Sequence, residues 1–241
     1  MFKKPIIISD NYSICSKVSE IILGKNFDIK FSYGISPFSN EDDFPMDVDI
    51  FDMKKIEDVE ALIEKHDLLI SVHCKQLFPN ELINAVKCIN IHPGYNPINR
   101  GWYPQVFAII NDLVIGATIH EITRDLDNGP VIKRKKVKKY AWDTSLSLYN
   151  RVVDEEIELF DKCLYDILNN SYTTFTPKET NNLFLKKDFE ELKQIKLDKK
   201  ATYKEVIDHL RALTHGDYDN VFFIDRDTGK KIIVKISLDV K

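Results

Sequence analysis

Short runs of consecutive branched apolar residues constrain this chain most. Ile6-Ile7-Ile8 and Leu68-Leu69-Ile70 show no alternation of apolar and polar positions. A strand with one wet face alternates, whereas a strand covered on both faces does not. Both runs therefore demand a layer on each side. The intervening segments supply those layers. After the first run, Ile14, Val18, Ile21 and Ile22 fall on one helical stripe. Residues 56–63 and 79–86 read as helices, the second with Pro79 in the tolerated first turn. Residues 88–91, 114–122 and 131–140 read as strands, and 105–110 as a helix. Residues 145–168 form a long amphipathic helix with Tyr149, Val153, Ile157, Phe160, Leu164 and Leu168 at helical spacing. Two further strands are expected at residues 27–33 and 48–53. The fold class is therefore α/β, with an open and mainly parallel sheet. Ligands of such sheets sit at the carboxyl ends of the strands, so the chemistry is expected there.

The downstream third differs. Residues 171–198 are polar, rich in Lys, Glu and Asn, and read as a linker or extended arm. A helix is expected over 203–213. Residues 221–224 and 232–238 flank Asp225-Arg226-Asp227-Thr228-Gly229-Lys230, a good hairpin turn. With 241 residues, the chain divides into a main domain over 1–170 and a small α+β unit over 171–241. That unit is too small to build an independent core and needs a partner surface.

Charge excludes some functions. The 34 basic and 38 acidic residues leave a net charge of −4, which argues against a dedicated nucleic-acid binder. The one basic run, residues 133–139, is better read as a strand with a solvated outer face. No apolar stretch approaches the roughly 20 residues of a membrane span, and the opening Met1-Phe2-Lys3-Lys4-Pro5 reads as the lead-in to a strand rather than a secretory leader. Cys15, Cys74, Cys88 and Cys163 form no Cys-x-x-Cys pair. Reduced thiols in a cytoplasmic protein are the expectation. His66, His73, His120 and His209 lack ligand spacing, so no metal is expected.

No Gly-x-Gly-x-x-Gly follows the first strand, and no phosphate-binding P-loop or Gly-x-Ser-x-Gly elbow is present. The informative block is Asn90-Ile91-His92-Pro93-Gly94, followed by Arg100-Gly101 and by Leu126-Asp127-Asn128-Gly129-Pro130. Asn90 and His92 are two apart, so on a strand they point the same way. Pro93 ends the strand and leaves His92 at its edge. Asp127 lies in a turn after the next clear strand. An amide donor, an imidazole and a carboxylate can converge there. The imidazole takes a proton near neutral pH. The carboxylate can orient it, and the amide can donate to a developing oxyanion. Such a set suits attack of an amine on an acyl carbon without a covalent enzyme intermediate. Taken singly, each residue has a plainer reading: a structural histidine at a strand end, and turn formers beside Gly and Pro.

The combined pattern Asn90-x-His92-Pro93, Arg100-Gly101 and Leu126-Asp127-x-Gly129 resembles the formyltransferase family that uses N10-formyltetrahydrofolate. The resemblance covers about residues 1–165. It implies a Rossmann-like formyltransferase catalytic domain and places the family's catalytic residues on Asn90, His92 and Asp127. Within the family the chain looks most like the sugar N-formyltransferases, more narrowly those acting on dTDP-4-amino-4,6-dideoxyglucose for O-antigen or capsule synthesis. The stretches that carry this are residues 71–79, 92–104 and 210–218. The implied co-substrates are N10-formyltetrahydrofolate and a nucleotide-linked amino sugar, and the implied assembly is a homodimer held by the C-terminal unit. No membrane or nucleic-acid partner is implied.

The resemblance also places the folate along two loops: Lys75, Gln76, Leu77 and Phe78, and Ile122, Thr123, Arg124 and Asp125. Lys75 is alternatively a diphosphate ligand or a solvated loop lysine. Asn11 either marks a phosphate position at a helix start or simply caps that helix. Trp102 and Tyr103 bound the sugar or nucleotide, or pack in the core. His215, with Asp217 and Tyr218, recognises thymine or a neighbouring subunit, or only leads into the hairpin. Formylation of a 3-amino or UDP-linked sugar remains the rival within enzymes. A non-catalytic folate- or nucleotide-binding module is the rival outside them.

Overall fold

The computed structural model describes residues 1–44 and 46–241. Strand β1 (Pro5–Ile8) is buried throughout and leads into helix α1 (Tyr12–Gly24). Strands β2 (Ser32–Ile35) and β3 (Asp49–Ile50) follow, then α2 (Ile56–Lys65), β4 (Leu68–Val72) and α3 (Asn80–Ala85). Next come β5 (Lys87–His92), the short β6 (Arg100–Gly101), α4 (Pro104–Ile110), β7 (Ile115–Glu121), β8 (Val131–Val137) and α5 (Ser145–Asn169). The remainder holds β9 (Leu183–Phe184), α6 (Lys186–Leu192), α7 (Tyr203–Leu213) and the hairpin β10 (Phe222–Ile224) and β11 (Lys231–Ile233).

The main sheet has seven strands in the order β3-β2-β1-β4-β5-β7-β8. β3, β2, β1, β4 and β5 run parallel, and β7 and then β8 add antiparallel pairings at one side. The Rossmann-like, mainly parallel α/β architecture expected from the buried runs is therefore present. Each sheet face has its own apolar layer. Ile7, Leu68, Ile70, Ile89 and Ile91 pack against α1 and α5 through Val18, Phe160 and Leu164. Ile6, Ile8, Leu69 and Cys88 pack against α2 and α3 through Val59, Leu62 and Leu82. Alternate residues of one strand thus feed opposite layers, which is why Ile6-Ile7-Ile8 and Leu68-Leu69-Ile70 show no polar positions.

Helix ends are set locally. Asn11 caps α1, accepting from the Ile14 amide at 3.2 Å, and Thr144 and Thr202 make reciprocal capping boxes on α5 and α7. The four cysteines are unbridged, and burial pushes the thiols of Cys15, Cys74 and Cys88 up to about 11, 12 and 12. Such thiols are inert.

Two expectations are corrected. Residues 27–33 alternate like a strand, but pairing covers only Ser32–Ile35. Phe27, Ile29 and Phe31 do point inward, against the first apolar layer, without joining the ladder. Alternation here reports packing alone. Residues 171–198 are more than a linker. They contain β9, paired in parallel with β6, and α6, anchored by the buried Phe189. A seven-residue helix with one buried side chain leaves too little periodicity to detect. A third apolar layer joins Val106, Phe107 and Ile109 of α4 and Leu148 and Val152 of α5 to Phe189, Ala212, Leu213 and Val221. The small C-terminal unit therefore completes its core on the main domain.

The basic run lies on β8 with Lys133, Lys135 and Lys136 exposed. Arg134 pairs with Glu179, Lys135 with Glu155 and Glu158, and Lys139 with Asp112. Among the described residues no helix is long and apolar enough to cross a membrane.

Candidate active site

β5 and β7 build the centre. Asn90 and His92 lie on one face of β5, and the antiparallel register sets His120 opposite Asn90 and Thr118 opposite His92. Directly opposed residues share a face, so these four side chains form one polar patch on that face. Asp127 reaches the patch from the turn after β7, with a left-handed backbone at φ +48°. Its side chain is 8% exposed, and that of His120 is 2% exposed.

The Asn90 amide nitrogen donates to Asp127 Oδ1 at 3.1 Å and lies 3.3 Å from His120 Nε2. Asp127 Oδ2 accepts from the Gly101 amide at 3.0 Å and sits 3.5 Å from His92 Nδ1. The proton positions follow from partners that can only accept. His92 Nε2 is 2.8 Å from the Asn99 carbonyl, so Nε2 carries a hydrogen. His120 Nδ1 is 2.8 Å from the Glu121 carbonyl, so that nitrogen is the protonated one and Nε2 accepts from Asn90. His92 Nδ1 is the remaining ring nitrogen, and it faces a carboxylate. A bare Nδ1 there sets two acceptors against each other. Two facing acceptors of this kind suit a proton-bearing group placed between them.

Burial alone would push the Asp127 carboxyl up, but the adjacent His92 and the Gly101 amide outweigh it and hold the carboxyl well below its usual range. Asp127 is therefore a fixed anion between two imidazoles.

The surrounding loops are tightly fitted. A Cβ on Gly94 would fall 2.5 Å from His92 Nε2 and 2.6 Å from the Asn99 carbonyl, the pair that orients the ring. Thr118 donates to the Gly94 carbonyl at 2.6 Å and accepts from the Asn96 amide at 3.1 Å. The Asn96 side chain donates to the Asp127 carbonyl at 3.0 Å, and the Asn96-Pro97 bond is cis. Arg100 Nε donates to the Leu126 carbonyl at 2.7 Å. Among the described residues no group of three or more His, Cys, Asp or Glu side chains is placed to hold a metal ion.

Comparison with known proteins agrees with this geometry. Residues 50–164 match the family described as formyl transferase, and residues 188–240 match the N-formyltransferase dimerization C-terminal domain. The dTDP-4-amino-4,6-dideoxyglucose formyltransferase of Mycobacterium tuberculosis is 45% identical over 183 residues, covering 76% of this chain and 78% of that protein. A 4-N formyltransferase from Francisella tularensis superposes with a TM-score of 0.92 at 41% identity, covering 99% of each chain. A sugar N-formyltransferase from a Shewanella species gives a TM-score of 0.94 at 36% identity, also over 99% of each chain. The chain belongs to the formyl transferase family, among its sugar N-formyltransferases.

In this N-formyltransferase the two loops expected to hold the donor lie on one apolar layer, because Phe78 and Ile122 both pack against it. Leu77 is 71% exposed. Gln76 is fully engaged: its side chain accepts from the Met53 amide at 2.9 Å and donates to the Phe51 carbonyl at 2.8 Å. It ties the segment after β3 to the loop. The Lys75 amide donates to Asp10 Oδ2 at 2.6 Å, and its ammonium group is at the surface. Thr123 bends back onto the Asp125 carbonyl at 3.4 Å, while Arg124 and Asp125 are exposed.

Asn11 donates to the Tyr149 hydroxyl at 3.3 Å, and the Tyr149 ring meets His215 edge-on at 5.5 Å. The same hydroxyl lies 3.4 Å from Nδ1 of His73, whose Nε2 donates to the buried Glu156 carboxylate at 2.9 Å. Asn11 and His215 therefore meet around Tyr149, past the ends of β1 and β4. Trp102 and Tyr103 pack against α6 and its flank in the C-terminal unit. Tyr103 packs on Phe189 at 4.1 Å, and Lys186 sits over Trp102 at 5.8 Å.

His120, Thr118 and Tyr149 escaped the sequence reading. His120 and Thr118 alternate on a strand adjacent to the Asn90-x-His92 strand. Pairing the two strands in antiparallel register would have exposed the match. Tyr149 sits on the buried stripe of α5, where a polar end is invisible to periodicity.

Proposed function

We propose that this enzyme transfers the formyl group of N10-formyltetrahydrofolate to the 4-amino group of dTDP-4-amino-4,6-dideoxyglucose, in the synthesis of an O-antigen or capsule sugar. The observation that carries the acceptor is the 45% identity with the mycobacterial enzyme named for it. The exposed Leu77 beside the packed Phe78 and Ile122 fits the flat apolar faces of a pteridine, whose polar edge backbone groups can meet.

The donor supplies an activated formyl carbon bonded to a nitrogen that can leave. The chain supplies the rest. His92 Nδ1 faces the reacting amine and takes its proton as the new C–N bond forms. Asp127 supports the imidazolium so produced, and the Nε2 bond to Asn99 keeps the ring from turning. The same proton returns to the departing nitrogen as the old C–N bond breaks. Asn90, fixed by Asp127, presents an N–H to the formyl oxygen as negative charge gathers there. Its longer bond, the 3.3 Å contact with His120, is the one released. Asn90→Ala is expected to lower turnover by about 10²–10³, the usual loss for one oxyanion donor. Steady-state kinetics near the wild-type value would remove that role.

Residues 1–170 then act as the catalytic domain, with Lys75, Asn11, Trp102 and Tyr103 toward the nucleotide-sugar. Residues 171–241 serve dimerisation and add a substrate contact through His215. The hairpin leaves Ile224, Ile232 and Ile233 at the surface, a patch suited to a second copy. Sedimentation equilibrium should return twice the 28.0 kDa chain mass, and a monomer would refute the assembly. The enzyme would act in the cytoplasm, where its folate co-substrate is held.

The deciding assay mixes the protein with both substrates and follows the sugar by mass spectrometry. One added formyl group supports the reading. Tetrahydrofolate release only with a 3-amino or UDP-linked sugar would move the acceptor. Binding of both ligands with no release would make the protein a binding module.

A further inference from the structure

The polar arm that follows α5 runs along β8 and the segment after β5. Phe175 exchanges two backbone hydrogen bonds with Val131, each 2.9 Å. The Asn182 amide donates to the Pro97 carbonyl at 3.0 Å, and its carbonyl accepts from the Arg100 amide at 3.2 Å. β9 then pairs with β6. The arm is thus bonded to the start of β8 and to the segment after β5.

One side chain of the arm reaches toward the Asp127 turn from two directions. Asn181 Oδ1 accepts from Arg100 Nη1 at 2.6 Å, and Arg100 Nε in turn holds the Leu126 carbonyl at 2.7 Å. Asn181 Nδ2 donates to Asn128 Oδ1 at 3.2 Å. Leu126 and Asn128 flank Asp127. Gly101, next to Arg100 in β6, donates its amide to Asp127 Oδ2 at 3.0 Å. Asp127 itself stands in the left-handed region, a backbone state that the surroundings must maintain.

From this geometry we infer that Asn181 is a positioning residue for catalysis: it clamps the turn on both sides of Asp127 and so fixes the carboxylate against His92. The inference rests on the formyl-transfer reading only for its kinetic consequence. Asn181 is itself at the surface and touches no reacting group, so its effect must travel through Arg100 and Asn128.

The test compares wild type with Asn181→Ala and Asn181→Asp. Three readouts are taken: kinetics with both substrates, thermal midpoint, and hydrogen exchange of the Gly101 amide in the free enzyme. Asn181→Ala should lower kcat about tenfold with both KM values within about twofold. Its thermal midpoint should stay within about 2 °C, as expected of a surface side chain. The Gly101 amide should exchange about tenfold faster as its acceptor loosens. Asn181→Asp keeps the acceptor for Arg100 but has no donor for Asn128, so it should fall between the two. Unchanged kcat and unchanged exchange would overturn the inference. So would a KM increase at constant kcat, or a kcat loss matched by a fallen thermal midpoint. If the wild type formylates no sugar, the functional reading fails alone. The Gly101 exchange rate, which needs no substrate, still decides the clamp.

Discussion

Asp127→Asn is expected to lower kcat by about 10⁴ while leaving the fold intact. The asparagine has the right size, so packing is not the cause. In the native site one carboxylate oxygen accepts from Asn90 at 3.1 Å and the other from the Gly101 amide at 3.0 Å. An amide offers one acceptor and one donor, so one of these N–H groups must face another N–H. The negative charge that supports His92 is lost as well. Stability should respond to pH in a definite direction. The carboxyl is held below its usual value in the folded chain, against about 3.9 when unfolded. A depressed carboxyl stabilises the fold above its unfolded value, and that contribution is lost as pH falls through the folded value. Urea midpoints of wild type and Asp127→Asn should therefore converge as pH falls below about 4. A gap that widens on acidification would contradict the anionic Asp127.

The sheet was legible because Ile6-Ile7-Ile8 and Leu68-Leu69-Ile70 admit almost no other placement than strands buried on both faces. The long helix was legible because α5 repeats its apolar stripe over 25 residues. The convergence of Asn90, His92 and Asp127 was legible for a different reason. Asn90 and His92 obey the two-residue period of a strand, and Asp127 sits beside turn-forming Gly129-Pro130. What the sequence hid depends on contacts distant in the chain. His120 gains its place only from the register that sets it opposite Asn90. The arm around Asn181 is polar and aperiodic because it is ordered by backbone pairing to β6 and by one side chain at each anchor, not by a buried stripe. Phe27, Ile29 and Phe31 gave the converse error. Their alternation records burial on one side, and backbone pairing begins only at Ser32.

The second large effect separates the two nitrogens of His92. Nε2 is spent on the Asn99 carbonyl at 2.8 Å, while Nδ1 alone faces Asp127, 3.5 Å away. A glutamine places its amide nitrogen near the Nε2 position and leaves nothing at Nδ1. An asparagine does the reverse. His92→Gln should therefore preserve the bond that anchors the loop around Gly94, and with it a thermal midpoint close to wild type. It should still lose about 10³–10⁴ in kcat, because no group remains to take the amine proton. His92→Asn should lose a similar factor, since an amide cannot accept and return a proton, and should melt lower because the Asn99 carbonyl loses its buried donor. The two variants together locate the chemistry. Equal inactivity with unequal stability assigns proton transfer to Nδ1 and anchoring to Nε2. If His92→Gln retained turnover within about tenfold of wild type, His92 would be an anchor only, and the proton would have to leave the amine through Asp127 directly.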